Sequence, residues 1–102
     1  MKKAMFYIGL NDKDSKIQEI ETKNAKDIIE NIFYDVVNGC TIYNAQGIYK
    51  HDNGMKVKEN TIIVECFDID DKDINYIAEY LKKALNQESI AVNVAEINAM
   101  FI

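Results

Sequence analysis

The chain contains no arginine and no proline, only one histidine and two cysteines, and no long apolar run. Its twelve lysines face seventeen acids, for a net charge of −5. A nucleic-acid-binding surface needs a basic footprint, usually with arginines that grip phosphates and base edges in pairs of hydrogen bonds. Nucleic acid is therefore excluded as a partner. The same shortage argues less strongly against an enzyme that grips phosphate, because lysine and backbone amides can hold that group. Cys40 and Cys66, far apart in sequence and with a single histidine to help, do not frame a zinc site, so no metal is expected. No stretch approaches the roughly 18 apolar residues of a membrane span. The opening MKKAMFYIGL is positive and then apolar, but charged residues follow Leu10 at once with no small-residue cleavage site. It reads as the first strand of a cytoplasmic protein, not as a signal peptide. An excess of lysine, asparagine and isoleucine over arginine and proline reflects an AT-rich genome, as in low-GC bacteria or their phages.

What is present is an ordinary globular composition, 48% apolar and 28% charged, in a length that suits one domain over 1–102. Residues 4 to 10 read as a strand. From about Asn24, Ile28, Ile29, Ile32, Phe33, Val36 and Val37 recur at helical spacing, and Asn38-Gly39 supplies a stop. Residues 40 to 50 and 60 to 68 have strand character and are joined by the turn composition His51-Asp52-Asn53-Gly54. The acidic run from Asp68 to Asp73 caps a second helix that buries Ile74, Ile77, Ala78, Leu81 and Leu85. The tail from Ser89 to Ile102 reads as a long final strand. With right-handed crossovers this order closes as a ferredoxin-like βαββαβ fold, a four-stranded antiparallel sheet with both helices on one face.

That topology brings three connections to one end of the sheet. Asn11 and Asp12, the hairpin with Tyr49 and His51, Glu59, and the tripeptide Gln87-Glu88-Ser89 are expected to form one loop-built binding cluster. The bland alternative is that the glycines, Glu88 and Ser89 only shape turns. Strand alternation also turns Met5, Tyr7, Tyr43, Ile63 and Phe67 away from the helices, as an apolar, tyrosine-rich face suited to a homo-oligomer interface. An RNA-recognition domain shares this topology, but its basic third-strand motif is missing from NTIIVECFD. Cys40 and Cys66 fall opposite each other across strands two and three and read as a reduced, buried pair. His51 beside Asp52 reads as a solvated turn histidine, with no nucleophile anchored nearby. There is no phosphate-binding glycine loop and no dinucleotide fingerprint, so no cofactor is implied.

Two blocks of this sequence resemble a bacterial domain family of unknown function that also occurs in phages and prophages. The first runs glycine, Thr41, Ala45, Gly47, an aromatic at Tyr49, Lys50 and then Glu59; the second is Gln87-Glu88-Ser89 followed by a hydrophobic strand. The Ile8-Gly9 pair is similar to that family's first strand. Tyr49 stands where the family usually has tryptophan, and FYDVVNG replaces a proline- and arginine-containing approach. The resemblance implies no reaction, but it implies that the two blocks work together. The expected function is a non-enzymatic binding protein, a phage or prophage accessory that blocks host defence by sequestering a host protein or a small nucleotide-like ligand. The alternatives are an oligomeric metabolite-sensing regulator, or a small enzyme with Glu59 or Glu88 as general base.

Overall fold

In β1 (Lys2–Gly9), side chains alternate between a buried face, carrying Ala4, Phe6 and Ile8, and a more open one. The structure, a computed structural model, describes residues 1–50 and 52–102. After β1 come α1 (Thr22–Tyr34), β2 (Thr41–Lys50), β3 (Lys56–Phe67), α2 (Asp71–Ala84) and β4 (Ala91–Glu96). The sheet order is β2-β3-β1-β4, with every neighbouring pair antiparallel. This is the ferredoxin-like arrangement expected from the order of elements.

Each helix forms for a reason visible in its residues. Helix α1 turns Ala25, Ile29, Ile32 and Phe33 toward the sheet at helical spacing. Helix α2 is capped by Asp70, whose side chain accepts the Asp73 N–H at 2.8 Å. Asp71 and Asp73 in its first turn and Lys82 and Lys83 in its last complement the helix dipole. The end of α2 is a Schellman motif. Asn86 takes the left-handed conformation at φ 49°, and the Gln87 N–H donates to the Lys82 carbonyl at 2.9 Å. The core lies between the helices and the inner sheet face, where Phe6 meets Phe33 edge-on at 5.1 Å.

Several boundaries depart from the sequence expectation. Helix α1 stops at Tyr34, with Asp35 as its C-cap, although Val36 and Val37 still pack on the core. Strand β3 begins at Lys56, because KVKE pairs with β2 although three of its four residues are charged. Strand β4 ends at Glu96, where its pairing with β1 finishes at Lys2. Beyond it, Ile97 and Met1 exchange two bonds, the Ile97 N–H to the Met1 carbonyl at 2.9 Å and the Met1 amino group to the Ile97 carbonyl at 3.2 Å, and the rest of the tail to Ile102 is not strand.

The hairpin register runs from Thr41↔Glu65 to Lys50↔Lys56, but β1 pairs with β3 only as far as Gly9↔Thr61. The hairpin therefore overhangs the sheet as a two-stranded arm, and the molecule measures 46 × 25 × 23 Å. On the outer face, Tyr43, Ile63, Tyr7 and Ala91 form one row across all four strands. Met5 and Phe67 share that face, but it is less apolar than alternation alone implies. Glu65 sits within it, accepting from the Tyr43 hydroxyl at 2.9 Å and pairing with Lys3 at 3.4 Å.

Cys40 and Cys66 are free thiols that interact with each other, but they are not the buried pair expected: Cys66 is buried, and Cys40, just before β2 at the sheet edge, is exposed. Burial first, and then its neighbour Cys40, push the Cys66 thiol up to about 12. Burial followed by the charge of Glu30 raises Cys40 as well. Both therefore stay protonated and unreactive near neutral pH.

Phe6→Ala is expected to cost about 3–5 kcal/mol of stability, because it deletes a fully buried ring and its Phe33 contact. Urea denaturation followed by circular dichroism measures this, and a loss under about 1 kcal/mol would contradict the packing described.

Candidate functional site

The site begins with a carboxylate and the space made for it. Glu59 lies on the overhanging arm, opposite Gly47, on the same sheet face as Thr61 and Ile63. Its carboxylate reaches over the end of β1. A Cβ on Gly9 would collide with it, falling 2.6 Å from Cδ and 2.7 Å from Oε2. A Cβ on Gly47 would sit 3.0 Å from the Thr61 hydroxyl and 3.6 Å from Glu59 Cγ. The two glycines are needed here for close approach, not for turn geometry. Just past β1, the Asn11 N–H donates to Glu59 Oε2 at 3.1 Å. Tyr49 is two residues along the same face from Gly47. Burial, and then the charge of Glu59, raise its phenol above the ordinary value.

The loop from Asn11 to Glu21 is held from both sides. Asn11 bridges to Gln18, and the Gln18 side chain accepts from Asn60 at 2.8 Å while donating to Thr22 and the Ile20 carbonyl. The Asp12 carboxylate accepts from the Asn86 side chain at 2.8 Å and from the Asp14 and Ser15 N–H groups at 3.0 and 3.1 Å. These bonds, Asn86 first, hold its carboxyl below the usual carboxylate range. Asp12 was expected to bind a ligand, yet its oxygens already serve the loop. Lys13 N–H donates to the Asn86 carbonyl at 3.0 Å. Gln87 then joins the two blocks, its side-chain amide donating to the Asn11 carbonyl at 2.8 Å and to the Leu85 carbonyl at 3.3 Å.

Together these elements line an open groove of about 910 Å³. Asn11, Asp12, Tyr49 and Glu59 line it, and so do Gln87, Glu88 and Ser89, so these seven expected residues meet in one place. Glu88 and Ser89 stand exposed at its mouth. His51, the eighth, lies outside the described residues. The groove also takes in Tyr7 and Ile63, so the loop cluster and the open sheet face, expected as separate surfaces, are continuous. Sequence reading missed the spatial role of Gly9 and the anchoring role of Asn86. A glycine ending a strand and an asparagine ending a helix were the available signals.

The charge pattern is mixed. Asp12, Glu59 and Glu88 face the groove, and Lys13 and Lys16 stand on its rim. Among the described residues, no three His, Cys, Asp or Glu side chains gather in a group able to hold a metal ion. No described helix is long and apolar enough to cross a membrane.

No protein-family model and no curated protein matches this sequence. Among solved structures, the chain is similar to a phage SAM lyase in complex with S-methyl-5′-thioadenosine. The TM-score is 0.67 at 19% identity, covering 93% of this chain and 80% of that one. The apo form of a phage SAM lyase gives 0.60 at 22% identity, covering 92% and 78%. A PII-like protein CutA from a Nostoc species gives 0.53 at 17% identity, covering 96% and 82%. At these identities the likeness is one of fold.

Gly9→Ala isolates the packing role. The clash falls on the end of a flexible side chain, so the carboxylate swings away and the fold survives, at a cost of about 1–2 kcal/mol for the lost charged hydrogen bond. Proton–nitrogen correlation spectra should show the Asn11 amide moving upfield with few changes in the core. An unmoved Asn11 amide would mean that Gly9 makes no room for Glu59.

Proposed function

We propose that the groove binds S-adenosyl-L-methionine and cleaves it, releasing S-methyl-5′-thioadenosine. The observation that carries this reading is the Glu59 carboxylate, pinned by the Asn11 N–H over Gly9 and set beside Tyr49 in an open groove that Gln87-Glu88-Ser89 also line. The ligand has two positive centres, a sulfonium and an ammonium, and one carboxylate. Glu59 and Glu88 in the groove and two lysines on its rim complement that pattern. A sulfonium is attracted both to a fixed carboxylate and to the face of a tyrosine ring, the latter by roughly 0.5–2 kcal/mol. The likeness in fold to a phage SAM lyase holding S-methyl-5′-thioadenosine supports the same ligand class.

The chemistry asks little of the protein. When the bond from sulfur to the γ-carbon breaks, its electron pair goes to sulfur and a neutral thioether departs. An oxygen of the ligand's own carboxylate forms the new bond to the γ-carbon as the sulfur leaves, closing a lactone ring without water or a protein base. In this reading Glu59 holds and orients the cation, a task of positioning and electrostatics. Consumption of S-adenosyl-L-methionine would starve host methylation and any restriction system that requires this cofactor. That joins the anti-defence reading to the small-ligand reading.

The groove is one-sided. Its outer wall is the two-stranded arm, a structure of marginal stability alone, with Tyr49 45% and Met55 59% exposed. A second copy laid on the open face would cover this wall, so a homo-oligomer belongs to the proposal.

Purified protein incubated with S-adenosyl-L-methionine should yield S-methyl-5′-thioadenosine by liquid chromatography with mass detection. Glu59→Gln is expected to lower turnover by at least about 100-fold while the melting temperature holds. Binding and a raised melting temperature without product would instead support sequestration. Neither binding nor product would overturn the assignment.

A further inference from the structure

The main chain of Asn11 is bonded on both sides at once. Its N–H donates to the Glu59 carboxylate at 3.1 Å, and its carbonyl accepts from the Gln87 side chain at 2.8 Å. The two bonds connect the overhanging arm, the end of β1 and the turn after α2, which are distant in sequence. Gln87 is itself rigidly held. Its backbone closes the Schellman motif on Lys82, and its amide also donates to the Leu85 carbonyl, so both protons of that group have acceptors.

We propose that Gln87 is a positioning residue for Glu59, acting through the main chain of Asn11. With the Asn11 carbonyl tied to a capped helix end, the backbone torsions at Asn11 are set, and its N–H points where the carboxylate must lie. Without that tie the loop turns, the N–H leaves Oε2, and Glu59 samples other rotamers over Gly9. Gln87 then governs the site without touching the sulfonium, and Glu88 and Ser89 are placed by the same anchor.

This inference rests on the groove being the ligand site, but it can be tested apart from that reading. The ligand-free measurement is the Asn11 amide resonance in uniformly labelled protein. Gln87→Met keeps the length of the side chain and removes the donors. It should move that resonance upfield, in the direction Glu59→Gln moves it. An Asn11 amide that stays in place overturns the proposal, whether or not any ligand binds. The second measurement is a double-mutant cycle on affinity for S-adenosyl-L-methionine. Gln87→Met alone should weaken binding about tenfold. In the Glu59→Gln background it should cost less than about twofold further, because the group it positions is already gone. Independent, multiplying losses would show a merely structural role and overturn the inference. Should Gln87→Met lose the native dichroism spectrum, Gln87→Glu, which keeps the shape and removes the donors, is read in the same two ways.

Discussion

One bond organises the groove end of this molecule, the donation from the Asn11 N–H to the Glu59 carboxylate. It spans 48 positions of sequence and joins the end of β1 to a strand that has already left the sheet. A carboxylate half out of water gains most from donors already aimed at it, because such donors cost no reorganisation when a ligand arrives. Everything nearby supports that geometry. Gly9 and Gly47 remove side chains from the floor, the Asp12 network stiffens the loop, and the α2 terminus anchors it from behind.

The layout separates the core from the groove. Phe6, Phe33, Ile29, Ile62 and Leu81 lie on the helical side of the sheet and supply the core. The groove lies on the opposite face and beyond the end of β1. Its lining is small, polar or half-exposed, and contributes little apolar burial. Thr61 marks the border, a buried polar residue whose hydroxyl donates to the Glu59 carbonyl at 3.4 Å.

Much of this was legible in the residues. The order of elements, the topology and the meeting of Tyr49 and Glu59 with Gln87-Glu88-Ser89 follow from periodicity and from the rules of connection. Where the reading strayed, a local pattern was outvoted by pairing. KVKE looks like hairpin tip but pairs with β2, and Val94 looks like the middle of a long strand when β4 has only two residues left to run. Asp12 looked available because its composition suggests a ligand group, whereas its oxygens are taken by Asn86, Asp14 and Ser15. Nothing in composition announces a Cβ that would collide with a carboxylate 50 residues away, so the reason for Gly9 emerged only in three dimensions.

Asn11 contributes to the groove through its main-chain N–H and carbonyl. Alanine, serine or lysine at that position would present the same two groups; proline alone would remove the donor. Evolution can therefore change the letter there freely without changing the chemistry. A comparison that scores identities would count such drift as divergence at a position whose two bonds are unchanged. Low identity between two chains of this shape is thus compatible with an unaltered site, because part of the site is written in the backbone.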